Sequence, residues 1–436
     1  MTPSDYDSSG RPARVLVLAP HFPAINQPWI DTYLEELVRH GVSFGVLTWN
    51  QNPKHYSEKV DKLDLRSYAI IAPSSWRQIL LQALRSTTRP DTPFLRALFL
   101  TRSACSHRSE LRRSFGQSLR SLAALAVLRR FPHTSVIHSH SEFMSSAFLE
   151  AMQALAVPLV VTFHGLPPKG VTPISPRRRR KIAAYASTVL VNTEFAREQA
   201  IRVGYQPETI RILPQGLPLE DFPARGEALQ RDHHGVRILS VGRFHRDKGQ
   251  GYALLALARL ARNGRRVQWR FVGAGPDRER LQRLAARLGI SSQAQFEGGL
   301  PLDQLLRRYQ ESDLFVLASV PSTNPDEHVE TQGVVLQEAQ ASGCIPVASR
   351  VGGIPECVTD RSDGWLVQPR SHRAIAAAIE TLIQRREQWP KIRKLGRRNV
   401  ENRFSARMVG ETMVEILECV ADESLRTTVA HNRASE

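Results

Sequence analysis

The sequence has no long hydrophobic run and few cysteines. These two features argue against a membrane-spanning protein and against one that depends on disulfides or zinc. No stretch of its 436 residues approaches the roughly 18 apolar residues of a membrane span, and the first ten residues are polar and acidic. We therefore expect neither a signal peptide nor a spanning helix, and a cytoplasmic protein. The four cysteines lie far apart without metal-ligand spacing, which favours free thiols over a zinc site or disulfides.

Acidic residues are too few to balance the basic ones, so the chain carries a formal net charge of +17. The segment 74–130 has eleven arginines against two acidic residues, a net +9, and the run 177–181 adds +5. No module with stacking aromatic residues accompanies them, so we expect no nucleic-acid partner. An anionic membrane surface fits the two basic segments better, which predicts peripheral binding at the inner face of the plasma membrane.

Part of the first basic segment has apolar residues at helical spacing, namely Leu111, Phe115, Leu119, Leu122 and Ala126. Such a helix can either bury its apolar side in the protein core or lie on a membrane interface. The spacing alone leaves both interpretations open.

The chain alternates between short β-branched runs and helical stretches in two rounds, a pattern typical of parallel sheets covered by helices. It predicts one domain over 1–228, a second domain over 235–395, and helices over 396–425 that cross back to the first domain. The polar segment 223–235 is the predicted linker. The final ten residues are expected to be frayed.

The second round offers both cations and carboxylates for an anionic, hydroxyl-rich ligand. Arg243 and Lys248 flank a turn directly after the strand predicted at Val236–Val241, where ligands bind in open α/β sheets. Glu330 and Glu338 are separated by seven residues, with Gly333 between them. The glycine predicts that Glu330 lies in a loop and that a helix begins near Val334, with its first free amides directed at an anion.

These residues resemble the retaining glycosyltransferases of family 4, which have the GT-B fold and include colanic acid and exopolysaccharide transferases. The matching marks, in chain order, are Gly242–Gly249, Phe271–Pro276, Ser312–Ser319, the pair Glu330 and Glu338, Ser342–Val347 and Gly352–Glu356. The resemblance implies an α/β protein of two doubly wound Rossmann-like domains that face a central cleft. The domain over 1–228 would bind the acceptor, and the domain over 235–395 would bind the nucleotide-sugar donor.

The resemblance also implies roles for individual residues. Arg243 and Lys248 would bind the donor diphosphate, Glu338 the ribose and Glu330 the transferred sugar. Two further groups would contact the donor: the backbone of Gly333, Val334 and Val335, and the glycines Gly273 and Gly275 beside the nucleoside. His164, at the end of the strand predicted at Leu159–Phe163, is similar to the family's active-site histidine, so the predicted catalytic set is Glu330, His164, Arg243 and Lys248.

Three positions depart from the family pattern. The loop 21–29 lacks the usual glycine-rich sequence, Gly165 stands where relatives have aspartate, and Gln215 replaces an asparagine. The sole Asp-x-Asp pair, Asp5 and Asp7, precedes the first predicted strand, so we expect a nucleotide sugar as co-substrate and no metal or other cofactor. A soluble acceptor, a sugar-nucleotide epimerase and a non-catalytic binding protein remain alternatives to transfer onto a lipid-linked saccharide.

Overall fold

The structure is a computed structural model that describes residues 14–23, 28–50, 58–72, 78, 81, 111–167, 174–224, 235–322 and 328–434. Most of the basic segment 74–130, the Asp5 and Asp7 pair, the middle of loop 21–29 and most of the predicted linker lie outside the described residues.

The first half of the chain forms a seven-stranded sheet in which every strand pair is parallel, with the order β3-β2-β1-β4-β5-β6-β7. Its strands are β1 (Val15–Leu18), β2 (Phe44–Thr48), β3 (Ala69–Ile71), β4 (Val136–Ser139), β5 (Leu159–Thr162), β6 (Ala186–Val191) and β7 (Ile210–Ile212). The central strands are buried on both faces, which explains their continuous apolar sequence.

The second half forms a six-stranded parallel sheet with the order β10-β9-β8-β11-β12-β13. Its strands are β8 (Val236–Val241), β9 (Val267–Val272), β10 (Ala294–Glu297), β11 (Leu314–Leu317), β12 (Ile345–Ser349) and β13 (Trp365–Val367). In each sheet the strand order reverses once, between β1 and β4 and between β8 and β11. Such switch points open a crevice at the carboxyl ends of the strands.

Helices accompany both sheets. In the first half they are α1 (Pro28–Arg39), α2 (Glu58–Lys62), α3 (Leu111–Leu128), α4 (Glu142–Leu155), α5 (Pro176–Tyr185) and α6 (Glu194–Arg202). In the second half they are α7 (Gln250–Arg262), α8 (Arg278–Arg287), α9 (Leu302–Glu311), α10 (Val334–Ala341), α11 (Ile354–Cys357), α12 (His372–Gln384), α13 (Trp389–Arg403) and α14 (Ala406–Ala434).

The last helix, α14, packs on the first half of the chain. Its residues Met413, Val414 and Leu417 share a buried cluster with α1 and with strands of the seven-stranded sheet. The expectation of frayed final residues is wrong for most of them, because α14 continues to Ala434. After Gly410 its sequence contains neither glycine nor proline, so no local signal ends the helix.

The predicted helix across 111–126 is present as α3, and most of the side chains described in it are buried, although Arg120 is exposed. Leu122 and Leu125 belong to the core of the seven-stranded half, with exposed fractions of 7% and 0%. For this part of the helix the core interpretation is correct.

The second basic run carries less free charge than its sequence suggests. On α5, Arg178 pairs with Glu150 and donates to Ser146, while Arg179 forms a two-point ion pair with Glu142 at 2.7 and 2.9 Å. Both arginines therefore bind α5 to α4 instead of facing solvent. None of the described helices combines the length and the apolarity needed to cross a membrane.

Candidate active site

The loop after β8 places Lys248 against the end of the neighbouring strand β11. It contains a single 3-10 turn at Arg246–Lys248, followed by Gly249 with φ +63°. A Cβ atom on Gly249 would lie 1.9 Å from the carbonyl oxygen of Ala318, so no other residue permits this approach. The turn is also joined to the segment that follows β11, because the amide of Val320 donates a hydrogen bond to Asp247 O at 2.8 Å.

Lys248 and Glu330, which are 82 positions apart, form an ion pair in the crevice. Lys248 Nζ lies 2.5 Å from Glu330 Oε2, and Ser319 Oγ donates to the same oxygen at 3.3 Å. Burial alone would raise the pKa of the Glu330 carboxyl, but the charge and hydrogen bond of Lys248 outweigh it and hold the pKa below its usual range. Because an ammonium group has three donors, Lys248 can keep this bond and still donate to a phosphate oxygen.

Helix α10 begins as the sequence predicted. Gly333 precedes it with φ +75°, and Val334 is its first helical residue, so the amides of Gly333, Val334 and Val335 are not used inside the helix. Glu338, one turn further on, accepts a hydrogen bond from Tyr309 Oη at 2.7 Å. Burial raises the pKa of Glu338, and the Tyr309 bond offsets only part of that rise.

The remaining donor-side predictions concern Arg243 and two glycines. The Arg243 side chain is 55% exposed, and its Nη2 lies 3.5 Å from Asp247 Oδ2. A Cβ atom on Gly273 would lie 2.1 Å from the carbonyl oxygen of Gly242, and one on Gly275 would lie 2.4 Å from that of Phe244. The two glycines therefore allow the loops after β8 and β9 to touch; their contact with a nucleoside remains a prediction.

The loop after β5 carries His164 and contacts the segment that bears Glu330. His328 Nδ1 lies 3.3 Å from Leu166 O, and a Cβ atom on Gly165 would lie 2.7 Å from Thr331 Cγ2. That contact, together with φ +92°, favours glycine at position 165. The structure thus brings the His164 loop to the Glu330 segment, although His164 itself makes its ring contacts with Trp29 and His140.

The two halves also meet through hydrogen bonds that the sequence did not predict. Gln332 Oε1 accepts from the amide of Gln215 at 2.8 Å, and its Nε2 donates back to Gln215 O at 3.1 Å. The carboxylate of Glu356 accepts from the amides of Glu194 and Phe195 at 2.7 and 2.9 Å, which caps the positive end of α6. The partners are more than a hundred residues apart, so no local pattern could have paired them.

The described part of the chain adds no candidate metal site. Within the ranges that the structure describes, no group of three or more histidine, cysteine, aspartate or glutamate side chains is arranged to hold a metal ion. The three cysteines in those ranges, Cys344, Cys357 and Cys419, are free thiols.

Two parallel-sheet domains, with a cation and a carboxylate paired at a switch point, have the architecture of a GT-B glycosyltransferase. Two family models match the chain, "Glycosyltransferase Family 4" over residues 29–221 and "Glycosyl transferases group 1" over residues 224–399. The chain belongs to this family of group 1 glycosyl transferases.

Relatives agree with this assignment. A D-inositol 3-phosphate glycosyltransferase of Geodermatophilus obscurus is 30% identical over 67% of this chain and 68% of its own length. The amylovoran biosynthesis glycosyltransferase AmsK of Erwinia amylovora is 27% identical over 63% of this chain and 67% of its own. A D-inositol 3-phosphate glycosyltransferase of Acidothermus cellulolyticus also matches, and the match spans 59% of the length of that protein.

Among solved structures, Anabaena HepE in complex with UDP and glucose superposes with a TM-score of 0.69 at 16% identity, covering 93% of this chain and 99% of HepE. At that identity the likeness shows a common fold. It confirms the GT-B architecture predicted from the sequence.

Proposed function

We propose that this protein is a retaining glycosyltransferase that moves a sugar from a nucleotide-sugar donor to a lipid-linked saccharide in exopolysaccharide or cell-surface glycan synthesis. The observation that carries the proposal is the contact between Lys248 and Glu330 at the switch point of the second sheet. A phosphate-binding cation and a hydroxyl-binding carboxylate are thereby held at adjacent positions, as a sugar diphosphate requires.

The proposed reaction breaks the bond between the sugar C1 and the departing diphosphate. An acceptor hydroxyl attacks C1 from the same face, and its proton passes to the departing phosphate oxygen, so the anomeric configuration is retained. Lys248, Arg243 and the free amides at the start of α10 would stabilise the negative charge that develops on that phosphate. These fixed positive groups can do the work of a divalent ion, so we propose that the reaction needs no metal or other cofactor.

The donor should be found by a panel of UDP-, GDP-, ADP- and dTDP-sugars assayed for binding and turnover in EDTA. We expect one nucleotide sugar to bind and to turn over without added metal, because the site supplies its own cations. The anomeric configuration of the first product formed, read by proton NMR, should match that of the donor. Failure of every nucleotide sugar to bind would overturn the proposed function, and restoration of turnover by Mg²⁺ or Mn²⁺ alone would overturn its metal independence.

A lipid-linked acceptor should place the protein on anionic membranes. We expect it to sediment with vesicles containing 30% phosphatidylserine at about 50 mM salt and to be released at about 500 mM, because basic side chains bind such surfaces electrostatically. Replacing the exposed Arg180 by glutamate should weaken sedimentation, whereas Arg179→Lys, at an inward-facing position, should not. Equal recovery with neutral vesicles, or none with either, would favour a soluble acceptor.

A further inference from the structure

Residues 330–332 join the two halves of the molecule at the crevice. Thr331 and Gln332 belong to the six-stranded half by sequence, yet each of them forms hydrogen bonds with the seven-stranded half. Both are buried, with exposed fractions of 7% and 2%. A buried polar side chain is stable only with partners, so these bonds account for polar residues at two positions that apolar residues could fill.

Thr331 is bonded to the segment that follows β6. Its hydroxyl oxygen accepts from Asn192 Nδ2 at 3.0 Å, and its main-chain oxygen accepts from Thr193 Oγ1 at 2.7 Å. A Cβ atom on Gly353 would lie 1.8 Å from that main-chain oxygen. Thr331 is therefore packed against its own half as closely as against the other.

Gln332 is bonded to the turn that follows β7. Its side-chain amide pairs with both main-chain groups of Gln215, accepting from the N–H at 2.8 Å and donating to the oxygen at 3.1 Å. An amide suits this position because it offers an acceptor and a donor side by side. The turn is itself bonded to β6, because the amide of Leu213 donates to Val191 O at 2.7 Å. The Gln332 bonds therefore end on a fixed part of the seven-stranded half.

Glu330 is held by its own half of the molecule. Lys248 and Ser319 bond its carboxylate, and the amide of Gly353 donates to its main-chain oxygen at 3.0 Å. A Cβ atom on Gly352 would lie 2.0 Å from that oxygen, which leaves no space for a side chain there. Glu330 thus lies one residue before the point at which the chain is bonded to the other half.

Transfer depends on the distance between a donor held by one half and the groups that the other half supplies. Reacting atoms must lie about 3–3.5 Å apart, and a misplacement of about 1 Å can cost about 10²-fold in rate. The bonds of Thr331 and Gln332 fix the position of the two halves directly beside Glu330. Their loss would leave Lys248 and Glu338, the groups predicted to bind diphosphate and ribose, in place.

We propose that Thr331 and Gln332 are positioning residues for transfer, which set the place of Glu330 relative to the seven-stranded half. They act through Glu330 and need no contact with the donor. The proposal rests on the proposed function, because it takes Glu330 as the residue that holds the transferred sugar. Its structural part, the holding of Glu330 from the other half, can be measured without a donor.

The kinetic test uses Gln332→Met, which keeps the length of the side chain and removes both bonds. With the donor identified in the panel, we expect kcat to fall by about 30-fold or more and the donor Kd to change by less than about threefold, because the diphosphate and ribose contacts remain. Calorimetric titration gives both the Kd and the number of molecules that bind donor. A purely structural role would reduce that number and leave kcat per binding molecule unchanged.

Gln215→Ala is the matched control, since Gln332 bonds main-chain atoms of residue 215 that alanine also has. We expect its kcat to stay within about threefold of wild type. Thr331→Val is a second, smaller change, which keeps the branched shape and removes the acceptor for Asn192. It should lower kcat by about tenfold, again with little change in donor Kd.

Hydrogen exchange tests the holding of Glu330 without any donor. The amide of Gly353 is protected by its bond to Glu330 O, so it should exchange about tenfold faster in Gln332→Met and at the wild-type rate in Gln215→Ala. The positioning role is overturned if Gly353 exchange is unchanged in Gln332→Met, if that variant keeps the wild-type kcat, or if its donor Kd rises as much as its kcat falls. Failure of every nucleotide sugar to bind the wild type would instead overturn the transferase function, and the exchange rates would still decide whether the other half holds Glu330.

Discussion

Replacing Lys248 by alanine should lower kcat/KM for transfer by about 10²–10³-fold, with most of the loss in kcat, because a fixed cation contributes most where charge develops on the leaving group. Lys248 is held in place from both sides, by the turn that Gly249 closes against Ala318 and by its bond to Glu330. A group so positioned needs no reorganisation when the diphosphate departs. Steady-state kinetics with the donor identified in the panel would measure the change.

Arg246→Ala is the matched control for Lys248→Ala. Arg246 belongs to the same 3-10 turn and carries the same charge, but its side chain is exposed. Arg246→Ala tests whether the loss of any positive charge near the site is enough to lower the rate. We expect less than a threefold change in kcat/KM, because screening weakens the effect of exposed charges. Equal losses in the two variants would contradict a contact role for Lys248. Lys248→Arg should not restore the rate, because the larger guanidinium cannot take the buried position beside Glu330.

Much of the geometry around Lys248 and Glu330 could be predicted because its signals are local. Gly333 before an apolar helical run predicts a helix start at Val334, and a Gly-Arg pair directly after a buried strand predicts a crevice loop. Each of these inferences uses fewer than ten consecutive residues. Parallel-sheet geometry then brings the strand ends to one edge without further information.

A cavity at the carboxyl ends of β4, β5 and β6 could not be predicted in the same way. It draws its walls from α1, from three strand ends and from α14, which are separated by up to almost 400 positions. Which side chains line it becomes visible only after packing. The edge strands β3, β10 and β13 were not predicted individually.

Glu330→Gln and Glu338→Gln should change stability in opposite directions, although both replace a crevice carboxylate by an amide of the same shape. Glu330→Gln keeps a hydrogen-bond acceptor for Lys248 but removes the negative charge that pairs with it, and the Lys248 side chain is only 15% exposed. Leaving this cation without a counter-charge should cost about 2 kcal/mol at pH 7, less than for a fully buried pair. Glu338→Gln keeps an acceptor for Tyr309 and removes a charge that burial disfavours, so it should raise the free energy of unfolding.

The pH dependence of the two variants should differ in sign as well. The pKa of Glu338 is raised above 4.5 in the folded protein, so wild type loses stability as pH rises from 4.5 through the folded value, and the advantage of Glu338→Gln grows over that range. The pKa of Glu330 is lowered, so its contribution is present above 4.5 and is lost as pH falls through the folded value. Urea unfolding between pH 3 and 8 should therefore give two difference curves that diverge as pH rises.

Donor binding by Glu338→Gln tests whether Glu338 has a role in function as well as in stability. If Glu338 contacts the ribose, Glu338→Gln should bind the donor about tenfold more weakly even though the protein is more stable, since a hydrogen bond to a charged group contributes about 1.5–3 kcal/mol. Calorimetric titration with the identified donor would measure this. A variant that was both more stable and fully able to bind would remove Glu338 from the donor site, because the buried charge would then have no function to offset its cost. Stability lost together with binding would instead indicate that Glu338 holds the fold through Tyr309.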